Sequence, residues 1–216
     1  MNVIILLGPP GSGKGTISEA LDEYDITHIS TGKMLRREIR KGTKLGIRSK
    51  EAINNGLFAN DDDVILMVKE FLMNSRDDEF FIFDGFPRTL VQANKFEELC
   101  TETDINISRV LSLICPADVL IERLSGRRTC VACGAVYHDL FCPPEIRGRC
   151  DVCGGSLAKR LDDEPEKIKR RLEVYDEMTL PLVDFYRKRN LLTEIDSNCP
   201  TRSVHEYAID FFEKVI

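Results

Sequence analysis

No apolar run in the sequence approaches the ~18 residues that a membrane-spanning helix needs. The longest near the start, Val3 to Leu7, is stopped by Gly8-Pro9-Pro10. A functional loop beginning at Gly8 leaves no room for a signal or transit peptide, so a cytoplasmic protein that does not enter membranes is expected. Biased tracts and internal repeats are also missing. With 43% hydrophobic and 31% charged residues, this excludes disordered, collagen-like and coiled-coil classes. There is no excess of positive charge either: the net charge is −6, so the chain as a whole should repel nucleic acid. Cysteine is too sparse for a disulfide scaffold. Four of the eight cysteines form two Cys-x-x-Cys pairs, while Cys100, Cys115, Cys142 and Cys199 are scattered. In a reducing compartment that pattern reads as one metal site plus spare thiols.

The 216 residues suffice for one large domain with small insertions. Asn2 to Leu7 is a continuous apolar run, as expected of a parallel strand buried on both faces. Phe80 to Phe83, Val110 to Ile114 and Leu191 to Ile195 look alike, and Ile26 to Ile29 is a weaker fifth. Helical patterns lie between them: Thr16 to Glu23, Val64 to Met73, Leu90 to Leu99, Ala117 to Leu124, and one long stretch from Glu164 to about Arg189. This alternation predicts an α/β fold, a central parallel sheet of about five strands with helices on both faces. Two regions break the rhythm. Residues 31–60 carry two helical patterns (Gly32 to Lys41 and Leu45 to Asn55), and residues 127–160 are rich in Cys, Gly and Pro without long periodicity. Both read as insertions into a core formed by 1–30, 61–126 and 161–216.

Gly8-Pro-Pro-Gly11-Ser12-Gly13-Lys14-Gly15-Thr16 follows the first strand and opens a helix, the context of a P-loop. Glycines let backbone N–H groups turn inward onto an anion, and Lys14 supplies a point charge for the β- and γ-phosphates of a nucleoside triphosphate. Asp84, at the carboxyl end of a predicted strand, is placed to hold Mg²⁺ through water, and Arg88 to clamp an acceptor phosphate. The Gln92 amide offers a donor beside an acceptor, which matches an adenine edge and mismatches uracil. Arg36, one turn into a helix opened by Ser30-Thr31-Gly32, can reach a phosphate bidentately. Cys130, Cys133, Cys150 and Cys153 have the spacing of two knuckles around a tetrahedral Zn²⁺. Four protein ligands leave no open position, so such a metal is structural. Cys142 lies inside the intervening loop and stays open as a substitute ligand.

The Gly-Lys-Gly-Thr variant of the loop, Asp84-Gly85-Phe86-Pro87-Arg88 with Gln92, and the four cysteines together resemble the zinc-lid form of the adenylate kinase family. The resemblance implies reversible transfer of the ATP γ-phosphate to AMP, giving two ADP, by a P-loop enzyme expected to be a monomer. It puts AMP against Thr31, Gly32, Arg36, the backbone of Leu57, Phe58 and Ala59, Gly85, Arg88, Gln92, Arg160 and Arg171. ATP falls to the loop Gly11 to Thr16, Arg123, Arg127, Val136, Tyr137 and the segment at Cys199. Arg123, Arg127, Arg160 and Arg171 match the family's phosphate-closing arginines, Arg123 also stacking on adenine, with Asp162 and Asp163 orienting the set. This chain departs from the family in Lys33, where Asp is usual, in Gly56-Leu-Phe-Ala-Asn-Asp61, and in Asp196-Ser-Asn-Cys-Pro200. No residue needs to act as a general base, because the AMP phosphate is already an anionic nucleophile; charge stabilisation, alignment and two closing flaps suffice. Two alternatives stay open here: a related kinase with a different donor or acceptor base, and a zinc-ribbon protein that binds nucleic acid or a partner.

Overall fold

The structure is a computed structural model that describes residues 1–20, 24, 26–75, 80–198, 206, 209 and 212. Strand β1 (Asn2–Leu7) sets the architecture. Successive side chains of a strand point to opposite faces, yet Val3 to Leu7 are all buried. Both faces must therefore be covered. Val3, Ile5 and Leu7 join one apolar cluster with Phe81, Phe83, Phe86 and Phe96. Ile4 and Leu6 join a second with Ile17, Ile82 and Leu111.

The sheet is wholly parallel, in the order β2-β3-β1-β4-β8. Strands β2 (Ile26–Ser30), β3 (Phe80–Asp84), β4 (Asn106–Ile114) and β8 (Leu192–Asp196) match the expected runs. The chain runs outward from β1 on one side and returns on the other, so a crevice forms beyond the carboxyl ends of the central strands. Helix α1 (Lys14–Ala20) follows β1, and α4 (Asp61–Met73), α5 (Leu90–Thr103) and α6 (Ala117–Ser125) also lie along the chain between strands. Among the described residues, no helix is long and apolar enough to cross a membrane.

Between β2 and α4 stand α2 (Thr31–Lys41) and α3 (Lys44–Asn54). Ser30 caps the first through its side chain, Gly42 ends it in the left-handed conformation, and Thr43 caps the second. The two helices approach so closely that a Cβ on Gly46 would lie 2.2 Å from the Glu38 carbonyl oxygen. The second insertion has more regular structure than its composition suggested. Strands β5 (Arg127–Cys130), β6 (Val136–His138) and β7 (Leu157–Ala158) form a small antiparallel sheet, with β5 in the middle.

The long helical stretch is interrupted. Helix α7 (Pro165–Val174) gives way to a π-turn (Tyr175–Thr179), and α8 (Pro181–Arg187) follows. Pro181 has no N–H to continue the ladder, and the N–H of Leu180 reaches back five residues to the Tyr175 carbonyl at 2.9 Å. Apolar periodicity alone does not register such a wide turn.

Candidate active site

A cavity of about 810 Å³ opens at the carboxyl ends of the strands. Strand β1 delivers the loop that starts at Gly8, β3 delivers Asp84, and β2 leads into α2 with Gly32 and Arg36. Arg123 comes from α6, Arg127 from β5 and Arg171 from α7, with Arg160 just before a short 3-10 turn (Leu161–Asp163). Gly11 to Thr16, Leu57, Phe58, Ala59, Gly85, Arg88, Val136 and Tyr137 line it as well. One concave surface thus gathers side chains from the sheet and both insertions.

Lys14 lies across its own loop, its ammonium donating to the carbonyls of Gly8 (2.7 Å) and Pro9 (2.9 Å). Burial pushes its pKa down to about 8, and Arg88, Arg171 and Arg127 add repulsion against the pull of Asp84. Burial alone would raise the Asp84 carboxyl. The His28 imidazole 3.7 Å away, Lys14 and Arg88 outweigh that and hold it well below the usual carboxylate range. Asp84 is therefore an anion at the floor of the cavity, with the charge and hard oxygen that suit Mg²⁺.

The arginines are arranged in two ways. Asp163, fully buried, accepts Arg127 through both its oxygens (2.7 and 2.6 Å) and also takes Arg171 at 2.6 Å. Asp162 accepts Arg160 bidentately (3.0 and 2.7 Å) and meets Arg171 at 3.3 Å. Such forks fix a guanidinium in one orientation. Arg88 is held differently, by donating Nε to the Gly85 carbonyl (2.7 Å) with the Phe58 ring 5.1 Å from its guanidinium carbon. Gly85 has φ +70°, which favours glycine, and a Cβ there would lie 2.7 Å from an Arg88 nitrogen and push the guanidinium from this position. Arg36 makes no ion pair among the described residues. Burial first, then Arg160, lower its pKa well below the ordinary arginine value. Burial also lowers Arg88 and Arg127, and takes Arg171 down to about 10. Among the described residues, Lys14, Arg36, Arg88, Arg127, Arg160 and Arg171 thus crowd around three carboxylates, those of Asp84, Asp162 and Asp163. A polyanion entering this space would find cations already desolvated and oriented.

Two residues expected to meet the acceptor base do not line the cavity of the nucleotide-free protein. Thr31 and Gln92 are buried behind the cavity wall rather than lining it. Thr31 donates its hydroxyl to the Gly85 carbonyl at 2.7 Å. Gln92 accepts from the Arg88 N–H (2.8 Å) and donates to Asp61 (2.7 Å), which also takes the Thr89 hydroxyl at 3.1 Å. Cys199 lies outside the described residues. Its neighbour Ser197 offers a carbonyl to Arg123 at 2.9 Å.

Sequence reading missed Tyr175 and Thr179, which the π-turn brings to the cavity. The Thr179 hydroxyl donates to the Arg88 carbonyl (2.8 Å) across 91 residues of chain. No local signal marks such a contact. Lys33, Phe141 and Cys142 also line the cavity. Cys142 stands apart from the four-cysteine group that could hold a metal.

In that group the sulfurs of Cys130, Cys133, Cys150 and Cys153 lie within 4.8 Å of one another. The Cys130–Cys153 and Cys133–Cys150 pairs are 3.5 and 3.6 Å apart. A tetrahedron with Zn–S bonds of about 2.3 Å has edges of about 3.8 Å. These separations fit a metal and are too long for disulfides.

Residues 6–191 match the adenylate kinase family model. The chain is 42% identical over 213 residues to the adenylate kinase of Archaeoglobus fulgidus, covering 98% of each. It is 44% identical over 204 residues to that of Carboxydothermus hydrogenoformans, covering 94% of each. With the Caldicellulosiruptor bescii enzyme the identity is 45% over 190 residues, 88% of each. The matched span includes both insertions as well as the sheet. The chain belongs to the adenylate kinase family, and it is a nucleoside monophosphate kinase whose second insertion carries a four-cysteine cluster.

Proposed function

We propose that the chain catalyses reversible, Mg²⁺-dependent transfer of the ATP γ-phosphoryl group to AMP, giving two ADP and balancing the adenine nucleotides, with a structural Zn²⁺ in the lid. The observation that carries this reading is the surplus of buried, oriented cations around one cavity large enough for two nucleotides' phosphates. Residues 1–30, 61–126 and 161–216 form the core, 31–60 the acceptor flap and 127–160 the donor lid. ATP lies along the Gly11 to Thr16 loop, with Arg123 against its base and Lys14 leaving the loop carbonyls for the β- and γ-oxygens. AMP lies beneath Arg36 and Arg88, its base against the backbone of Leu57 to Ala59. The Gln92 amide keeps one N–H and one lone pair beyond its bonds to Asp61 and Arg88, the pair that an adenine edge complements once the flap shifts.

An AMP phosphate oxygen attacks the γ-phosphorus in line, and the bond to the ADP leaving oxygen breaks. No proton has to be removed from the nucleophile. Lys14, Arg88, Arg127, Arg160 and Arg171 stabilise the charge spread over the transferring oxygens, their forks to Asp162 and Asp163 sparing reorganisation during the step. Asp84 would hold Mg²⁺, which when bound would supply charge neutralisation for the ATP phosphates. Cys130, Cys133, Cys150 and Cys153 would hold Zn²⁺, which would fix the shape of the lid, the four thiolates leaving no position for substrate. Both flaps exclude water, which would otherwise accept the phosphoryl group. The monomeric state and a cytoplasmic location complete the proposal; the latter draws support from four thiols grouped as ligands rather than paired as disulfides.

The test is a coupled assay with ATP and a panel of nucleoside monophosphates. AMP should be the preferred acceptor. Preference for UMP or CMP would overturn the role of Gln92, and absence of transfer to every acceptor would overturn the catalytic reading.

A further inference from the structure

We propose that Tyr137 is a positioning residue for the lid metal, its phenol holding the Cys150 sulfur in the four-thiolate set and tying that set to the strand that faces the donor nucleotide. The inference rests on reading the four cysteines as a metal site.

Tyr137 is the middle residue of β6, between Val136 and His138, and all three border the nucleotide cavity. Yet Tyr137 is only 7% exposed, and it forms the small lid core with Cys130 and Cys150. Its oxygen lies 3.4 Å from the Cys150 sulfur and accepts the Asp151 N–H at 2.8 Å. Those two contacts settle the direction of the weaker one. A phenol has a single proton. The Asp151 N–H occupies an oxygen lone pair, which leaves the O–H free to point at sulfur. A metal-bound thiolate can only accept. The bond is therefore O–H to S, from strand β6 to the second knuckle.

Hydrogen bonds of this kind orient a ligand and adjust the charge it presents to the metal. The tyrosine adds a tie between two parts of the lid that β5–β7 pairing and the Val131 N–H to Ser156 carbonyl bond (3.1 Å) also join. The first knuckle continues directly from β5, whereas the second is reached only after the loop of residues 139–149. Backbone bonds from Cys150 to Gly155 (2.8 Å) and from Leu157 to Gly148 (3.0 Å) close the second knuckle on itself and on β7. The phenol ties it to the opposite edge strand, β6. A residue read from sequence as a donor contact thus has its hydroxyl engaged by Cys150 and Asp151 while the residue still borders the cavity.

The experiment compares the wild-type chain with Tyr137→Phe, which removes one oxygen and keeps the ring. Zinc dissociation constants are measured by competition with a chromophoric chelator. Y137F should bind zinc about 10-fold more weakly, the low end for loss of such a partner. In cobalt(II)-substituted protein its thiolate-to-metal charge-transfer band should move to lower energy, because the sulfur loses a hydrogen bond. Zinc affinity within twofold of wild type, with the band unmoved, overturns the proposal. A measurement on wild type alone keeps it testable if Y137F does not fold. In ¹¹³Cd-substituted protein the Tyr137 hydroxyl proton should show coupling to cadmium through the sulfur. Couplings from backbone N–H groups of the knuckles without one from Tyr137 would also overturn it. A wild-type chain that takes up neither zinc, cobalt nor cadmium would remove the metal site itself. Normal wild-type uptake with an unaffected Y137F would remove only the tyrosine's part.

Discussion

The two insertions reach the same cavity but hold themselves together by different physics. Residues 31–60 use ordinary helical chemistry. Ser30 and Thr43 cap α2 and α3, and Leu35 and Ala59 are buried in the main apolar cluster, with Met34, Leu45 and Ile53 packed against it. The lid has little of this. Its buried cluster is Cys130, Tyr137 and Cys150, with Ala135 and Leu157 at the margin, while Leu140, Phe141, Ile146 and Val152 stay exposed. So small a core cannot offset the entropy of ordering the segment, and the proposed metal staple at the four cysteines would supply the difference. The charges differ in the same sense. Lid cations Arg127 and Arg160 are gripped by Asp163 and Asp162, whereas Arg36 on the helical flap has no carboxylate partner among the described residues. The flap packed into the main apolar cluster carries its cation without a carboxylate partner among the described residues, and the flap with only a small cluster has its cations paired.

Removing a grip on the lid side should have the largest effect. Asp163→Asn leaves Arg127 and Arg171 buried beside a neutral amide and should cost about 3–5 kcal/mol, read by calorimetric unfolding. An unchanged melting temperature would break the comparison at its strongest point. Next comes the staple. Cys130→Ser should lower zinc content and destabilise the chain by at least about 2 kcal/mol, or about 4–8 °C at this length. Turnover at low temperature should fall less than stability does. An equal loss from wild type without metal and wild type with it would show that the lid needs no staple.

On the helical flap the sign of the stability effect should reverse. Arg36→Ala should raise the KM for AMP about 10–100-fold, the worth of a charge-assisted contact, and leave that for ATP nearly unchanged. The nucleotide-free protein should melt no earlier than wild type, because burial and Arg160 already disfavour this charge. A lower melting temperature would put Arg36 among the gripped cations. The smallest effect concerns pH. Lys14 loses its proton as pH rises through about 8 in the nucleotide-free protein. ATP phosphates favour the charged form, so binding above about pH 8 should draw in a proton and weaken by up to about tenfold per pH unit. Calorimetric titrations in buffers of different ionisation enthalpy measure that uptake, which should vanish near about pH 6.5.

Much of the architecture is legible along the chain, because strand burial and phosphate binding both write local patterns. The run Val3 to Leu7 announces a strand covered on both faces, and Gly8 to Thr16 announces the anion loop. Cys130, Cys133, Cys150 and Cys153 announce their own convergence, since knuckles keep fixed spacing. The long stretch from Glu164 is less legible. Its periodicity hides the π-turn at Tyr175–Thr179, since a single wide turn barely disturbs an apolar stripe. Gln92 shows the opposite limit: its type suggests base recognition, but burial and the partners Asp61 and Arg88 depend on elements brought together only by folding.

What the sequence determined alone is therefore which residues are able to hold phosphate and metal, because glycine freedom, fixed charge and thiolate spacing are properties of neighbours along the chain. Tertiary structure decided which of those cations are paired, which polar groups lie behind the cavity wall, and that the Tyr137 hydroxyl turns toward sulfur. Pairing and burial depend on distances between segments far apart in the chain, such as Arg127 and Asp163, 36 positions apart, and only the packed sheet and its insertions set those distances.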